Sequence, residues 1–334
     1  MAPKVSVIVP IYNGEDYIHS FMANIENQHY ENFEVIFVDD GSTDNTLSVC
    51  EKLEQKNEKI KVIHKNNGGP SSARNVGIDS STGDYIVFFD IDDEFSDSIL
   101  SDNVKIAIEN DAEVVMWNFR LICLRDGKDS ITKIGKNFNG NSIDFFHNYL
   151  ISVLDNEMFN PPWNKLIKRS VIIDNDIRFD ERFSIYEDIL FSYQLQNNIE
   201  RISVNDDIYY DYIIKEKGSL LTKFHEECFE VILEIFKEAL RYGARFQDNS
   251  EQIKRFKEQM LHLTKGFIKQ ICITEDCSYN DKKKLLSEIS NNPIYMMVSS
   301  ECDNKMKAFP AKIMMRFKLY CMLIMYYKVL DFFR

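Results

Sequence analysis

The seven cysteines of this sequence (50, 123, 228, 272, 277, 302 and 321) include no Cys-x-x-Cys pair. That excludes the common zinc and disulfide frameworks and leaves reduced thiols as the reading. No charged leader with an apolar segment behind it opens the chain, because Met1-Ala2-Pro3-Lys4 runs straight into Val5-Ser6-Val7-Ile8-Val9. A cytoplasmic protein without a signal peptide is expected. Positive charge is short as well: the net charge of -13 argues against general affinity for nucleic-acid phosphates, so no nucleic-acid partner is expected. A long apolar run is missing too. Leu319-Tyr320-Cys321-Met322-Leu323-Ile324-Met325-Tyr326-Tyr327 stops at nine residues, well short of the roughly 20 that a bilayer crossing takes.

What is present is a chain of 334 residues, 44% hydrophobic and 13% aromatic, able to bury a sizeable core in one large or two small domains. Its charge is uneven. Residues 303–334 hold Lys305, Lys307, Lys312, Arg316, Lys318, Lys328 and Arg334 against Asp303 and Asp331, so this end is +5 and the remainder -18. Basic and aromatic residues together suit peripheral contact with the inner face of a membrane. A helix packed on the body of the protein, or on a second copy in a homo-oligomer, is the alternative.

The first 117 residues alternate strand and helix signals with short links, as βαβ units require. Strands are expected at 5–9, 33–38, 61–64, 85–89 and 113–117, and helices at 16–28, 43–55, 71–80 and 96–110. Ser42 or Thr43 is expected to cap the second helix, with Asp44 at its positive end. Residues 125–141 read as a loop or hairpin. Helices follow at 142–154 and 186–197, then two short strands at 201–204 and 208–213. Beyond about 224 the chain reads as helical, at 224–243, 249–273 and 280–290. The fold class is α/β with a mostly parallel, doubly wound sheet, followed by an α-helical C-terminal region. The expected division is 1–220 (1–117 and 118–220 as its halves) and 221–334.

Open α/β sheets bind ligands beyond the carboxyl ends of their strands. Four strands end there in polar groups: Pro10-Ile11-Tyr12-Asn13-Gly14, Asp39-Asp40-Gly41-Ser42, Asn66-Asn67-Gly68-Gly69-Pro70 running on to Arg74, and Asp90-Ile91-Asp92-Asp93. Tyr12 can stack on a planar base, and Asp39 or Asp40 can accept the imide N–H of uracil. Gly68 and Gly69 let backbone approach a ligand, and Arg74 is a permanent cation for diphosphate oxygens. Asp90 and Asp92 can share one hard cation with diphosphate oxygens and water. Each feature also has an ordinary explanation as a turn, a loop, a surface ion pair or a solvated acidic turn.

Taken together, Pro10-x-Tyr12-Asn13, Val38-Asp39-Asp40-Gly41-Ser42-x-Asp44, Ala73-Arg74-Asn75-x-Gly77, Gly83-Asp84-Tyr85-Ile86 and Phe89-Asp90-x-Asp92-Asp93 resemble, in order and spacing, family 2 glycosyltransferases with the GT-A fold, including bacterial capsule and exopolysaccharide enzymes. The resemblance is specific over residues 4–117 and fair to about 220. It implies an inverting transferase that uses a nucleotide-sugar, usually a UDP-sugar, with Mn²⁺ or Mg²⁺. Pro10, Tyr12, Asn13, Asp39, Asp40, Gly68, Arg74, Asp90, Ile91 and Asp92 would form the donor site. Asp92 would be the direct metal ligand, with Asp90 beside it on ribose or sugar; Asp93 could share either role.

The same resemblance makes Asp188, in Tyr186-Glu187-Asp188, the base for the acceptor hydroxyl, with Glu187 orienting it; otherwise the pair would only complement a helix dipole. Trp163-Asn164-Lys165-Leu166 matches a pattern of polysaccharide-building members. Trp163 would offer a face to an acceptor sugar and Lys165 a cation to phosphate, unless they are a core Trp beside a surface Lys. Lys217-Gly218-Ser219 resembles a loop that folds over the diphosphate. No Gln-x-x-Arg-Trp signature of processive synthases occurs, so single-sugar addition to a glycan, carried on a lipid, is expected. A sugar-1-phosphate nucleotidyltransferase would need a Gly-rich, basic first loop, which Gly14 alone does not supply. A noncatalytic nucleotide-sugar binding module would need the rim but not Asp188.

Overall fold

The computed structural model describes residues 2–123, 128–132, 137–214, 224–302 and 310–332, with backbone alone over 128–132. The chain divides into two compact units, Met1–Ser219 and Leu220–Arg334.

In the first unit the elements run β1 (Val5–Ile11), α1 (Glu15–Glu26), β2 (Phe33–Asp39), α2 (Thr46–Glu54), β3 (Ile60–His64), α3 (Gly69–Ser80), β4 (Tyr85–Phe88), β5 (Glu94–Phe95), α4 (Ile99–Glu109) and β6 (Val114–Cys123). They continue with β7 (Lys128–Thr132), β8 (Phe138–Asn141), α5 (Ser142–Asn148), α6 (Leu150–Asp155), β9 (Lys165–Lys168), α7 (Arg169–Asp174), α8 (Glu187–Gln196) and β10 (Arg201–Ile214). The sheet order is β3-β2-β1-β4-β9-β6-β10-β5, with β7 on β6 and β8 on β10. The first four strands are mutually parallel. β1 and β4 read as near-continuous apolar sequence because both of their faces are covered. β9 then enters antiparallel between β4 and β6, while β10 lies parallel to β6.

Helix α3 sets the depth of the site. A Cβ on Gly77 would lie 2.3 Å from Ile8 Cγ2, so only glycine lets this helix seat directly on β1. Ala73 closes the neighbouring contact with Ile36 and Val38.

Several expectations are revised. The helix expected at 142–154 is two helices, because Tyr149 leaves helical geometry (φ -123°) and its ring packs 4.4 Å from Phe138. The two short strands near 201–213 are one strand, β10, whose register shifts on β6 around 205–210; that irregularity breaks the period-2 pattern. β9 and α7 had no sequence signal, since Lys165 and Lys168 bracket the apolar pair of β9. The N-cap of α2 is Asn45 rather than Ser42 or Thr43, and Asp44 just before it accepts from Thr46 N through its Oδ1 at 3.0 Å.

The second unit contains α9 (Cys228–Ala244), α10 (Ser250–Ile273), α11 (Tyr279–Asn291), α12 (Pro293–Glu301), α13 (Pro310–Arg316) and α14 (Tyr320–Phe332). α9 packs on α10 along one apolar stripe that includes Ile232, Ile235, Phe236 and Ala239. Ser278 and Asp281 form a capping box on α11, and Asn292 caps α12 just before Pro293. No helix among the described residues is long and apolar enough to cross a membrane.

Candidate active site

The carboxyl ends of β1, β2 and β4 meet because the strands are adjacent and parallel, and the loops that leave them are tied together. Asn13, at φ 51°, accepts from Thr43 N through its Oδ1 at 2.8 Å, and its own N donates to Ser42 Oγ at 2.9 Å. Ser42 and Thr43 are thus spent on holding two rim loops in register. Pro10 pairs with Val38 inside the sheet, and Tyr12, 54% exposed, stands open at the rim. Ile91 is buried against Gly14.

The two candidate base-reading carboxylates are buried and engaged. Asp39, with no exposed surface, accepts from Ser42 N at 3.2 Å and has His64 Nδ1 2.6 Å from its Oδ2. Asp40 Oδ1 accepts from Lys65 Nζ at 2.7 Å and Gly68 N at 2.9 Å, while its Oδ2 accepts from Gly69 N at 2.7 Å. The glycine amides expected to face a ligand therefore anchor the loop after β3 onto Asp40. Gly69 takes φ +85°, which a side chain would resist. Lys65 and His64 were not foreseen; nothing in their sequence context marks them.

Arg74 joins what the sequence keeps far apart. Its guanidinium donates from Nη2 to Asp90 Oδ1 at 3.3 Å and from Nη1 to Glu187 Oε1 at 3.4 Å, and lies over the Phe179 ring, 5.3 Å from its centre. It is buried, and its Nε has no hydrogen-bond partner. Aromatic packing below supports the arrangement: Phe179 stacks on Phe191 of α8 at 4.1 Å, and Phe88 meets both rings edge-on. Asn75, next along α3, exchanges hydrogen bonds with Phe179 N and O at 2.9 Å and donates to Glu181 at 3.0 Å. This clamp fixes the segment that leads into α8. Tyr186, just before α8, is held at φ 60°, a costly conformation of the kind that clusters at functional sites.

Burial pushes the Asp90 carboxyl up, Arg74 opposes that, and the charge of Asp92 adds to it. Asp93 is turned inward instead of sharing the rim. It accepts from Tyr210 hydroxyl and Ile213 N, each at 2.9 Å, and burial raises it to about 8. Tyr210 hydroxyl also receives Asp90 N at 3.1 Å, a support with no signal in the sequence. Among the described residues no set of three or more His, Cys, Asp or Glu is grouped for a metal ion. Asp90 and Asp92 remain as a two-carboxylate donor set. That fits a hard cation held jointly with a ligand's phosphate oxygens, and does not fit an all-protein cage.

Asp188 lies half-buried beside this group. Burial and then the charge of Glu187 raise its carboxyl to about 7, while the bond it accepts from Ile189 N at 2.8 Å and then the charges of Arg74 and Lys165 oppose the rise. A carboxyl that titrates near neutrality can accept a proton at working pH.

Trp163 and Lys165 do not present the surfaces expected of them. Trp163 stacks on Tyr210 at 4.5 Å and meets Phe119 edge-on at 4.6 Å, so the indole is core packing, without an open face for a sugar. Lys165 is fully buried and donates to Phe159 O at 3.0 Å, Asn164 Oδ1 at 2.8 Å and Pro161 O. Its three protons are committed, which leaves none for a phosphate. Burial lowers it to about 7 against the charge of Asp188. Lys217-Gly218-Ser219 lies outside the described residues.

Known proteins share this fold. The chain is 31% identical over 261 residues to the poly(ribitol-phosphate) beta-N-acetylglucosaminyltransferase TarS of Staphylococcus aureus, covering 77% of this chain and 43% of that protein. It therefore spans less than half the length of that relative. It is 24% identical over 296 residues to the putative glycosyltransferase EpsH of Bacillus subtilis, covering 86% and 82% of the two chains. The crystal structure of S. aureus TarS 1-349 in complex with UDP-GlcNAc superposes with a TM-score of 0.75 at 24% identity, over 96% of this chain and 89% of that one. The fold they share is GT-A, with a helical region following it. Residues 6–175 match the family described as Glycosyl transferase family 2, and since that match spans half of its 334 residues, the chain belongs to that family.

Proposed function

We propose that this protein is an inverting glycosyltransferase that moves a sugar from a UDP-sugar to a hydroxyl of a glycan acceptor, carried on a lipid, in surface polysaccharide synthesis. The observation that carries the reading is the Arg74 guanidinium, shared between Asp90 and Glu187 beside the half-buried Asp188. One cation thereby links a diphosphate-type acidic rim to a carboxyl tuned to accept protons. The relative named above makes a beta linkage, and UDP-GlcNAc carries its sugar in the α configuration, so inversion follows for a chain working in the same way.

In this reading Tyr12 stacks on uracil, and Asp40 Oδ2, with a lone pair left beyond its bond from Gly69, accepts the imide N–H. Asp90 and Asp92 would hold Mn²⁺ or Mg²⁺, which when bound offsets the charge that develops on the departing diphosphate. Arg74, beside Asp90, would lend its fixed positive charge to the same phosphates. Asp188 takes the proton of the acceptor hydroxyl as that oxygen bonds to the anomeric carbon. The bond from that carbon to the diphosphate breaks, and its electron pair leaves with UDP. Glu187, held by Arg74, keeps α8 and its carboxyl at the donor edge.

Calorimetric titration of a nucleotide-sugar panel, with and without Mn²⁺ or Mg²⁺, tests this. UDP-sugars should bind only with the cation, and Asp92→Asn should cost at least the roughly tenfold that replacing even an indirect metal partner costs. Cation-independent binding, or preference for a purine nucleotide-sugar, would overturn the donor assignment.

A further inference from the structure

The last helix, α14, is apolar on two sides. Tyr320, Leu323, Ile324 and Tyr327 recur at three- and four-residue spacing and are buried, and α14 packs on α10. Met322, Met325, Val329 and Phe332 recur at the same spacing around the opposite side and stand 55%, 68%, 54% and 85% exposed. Phe317 and Leu319, in the turn before the helix, are exposed as well. A helix apolar all round belongs in a low-polarity environment on both sides, and here one side faces out.

Charge indicates what covers it. Between 310 and 332 the chain has Lys312, Arg316, Lys318 and Lys328 and a single acid, Asp331, whose carboxylate lies 3.7 Å from Lys269 Nζ. The segment that carries the apolar stripe is therefore cationic in a protein of net charge -13. A second copy of the same face would cover the stripe but bring these cations only one acid, Asp331, which already lies beside Lys269. An anionic bilayer offers both complements, acyl chains for the stripe and phosphate headgroups for the cations. We infer that this face of α14, with the turn before it, docks the protein on an anionic membrane surface.

Sedimentation of the full chain with vesicles of phosphatidylcholine, alone or with phosphatidylglycerol, tests the inference. Binding should need phosphatidylglycerol and weaken with salt. Replacing Met325→Glu and Val329→Glu together should lower partition by about tenfold or more. Arg316→Gln, Lys318→Gln and Lys328→Gln, which keep the stripe, should abolish the preference for phosphatidylglycerol. Helical circular dichroism and a thermal unfolding midpoint close to wild type report that each variant is folded. Failure of the wild type to sediment with anionic vesicles would overturn the inference, as would variants that bind like wild type. So would a concentration-dependent dimer that Met325→Glu and Val329→Glu dissociate, since the face would then belong to a second copy.

Discussion

Asp188 carries the chemistry proposed for this site, and its environment makes that chemistry dependent on pH. Its carboxyl titrates near 7 because burial and Glu187 disfavour the charge more than the Ile189 N–H, Arg74 and Lys165 favour it. As base it must be ionised, so transfer should rise with pH through about 7 and then level. The sign for stability is opposite. A carboxyl raised on folding contributes stability that is complete below its unfolded value, and that contribution is lost as pH rises through about 7. Lys165 extends the test. Its ammonium is held by three oxygen acceptors and pulls Asp188 down, so Lys165→Met should move the midpoint of the pH–rate profile upward. A profile that keeps its midpoint would remove Lys165 from any electrostatic role. The sequence could not disclose this. The Lys of Trp163-Asn164-Lys165 reads as a surface cation, because charged residues are rarely fully buried, and only the fold shows the carbonyls that solvate it.

Helix α3 does at the level of elements what Arg74 does among residues. It rests on β1 at Gly77, is locked to the approach to α8 by Asn75, and carries Arg74 between them. Gly77→Ala would drive a Cβ into Ile8, and should cost about 1–3 kcal/mol in urea denaturation. If the variant were as stable as wild type, the close seating of α3 would not be what fixes the depth of the rim. β1, β2, β3 and β4, with the helices between them, were legible because buried parallel strands read as apolar runs and short links punctuate them. β9 and the irregular β10 were not, since a buried lysine and a shift of register erase the alternation that marks a strand. The acidic rim and Glu187-Asp188 could be read as motifs, but their union through Arg74 could not. Arg74 lies 16 positions from Asp90 but 113 from Glu187, and only the fold brings both carboxylates within reach of one side chain.

On the scale of the whole molecule, charge and chemistry are segregated. The acidic donor rim and the candidate base belong to the Met1–Ser219 unit, whereas the exposed apolar stripe and its cations belong to Leu220–Arg334. Donor recognition and attachment should thus be separable by substitution. The family relation supports the first, and the exposed face of α14 supports the second. What remains central is whether this rim drives a transfer or only holds a nucleotide-sugar. Asp188→Asn decides between them, because it removes the base and keeps the shape. With the wild-type donor and acceptor, titration should show UDP-sugar binding close to wild type, while the single-turnover transfer rate falls by about 10²–10⁴-fold. Transfer at the wild-type rate in this variant would contradict the assignment of Asp188 as the base.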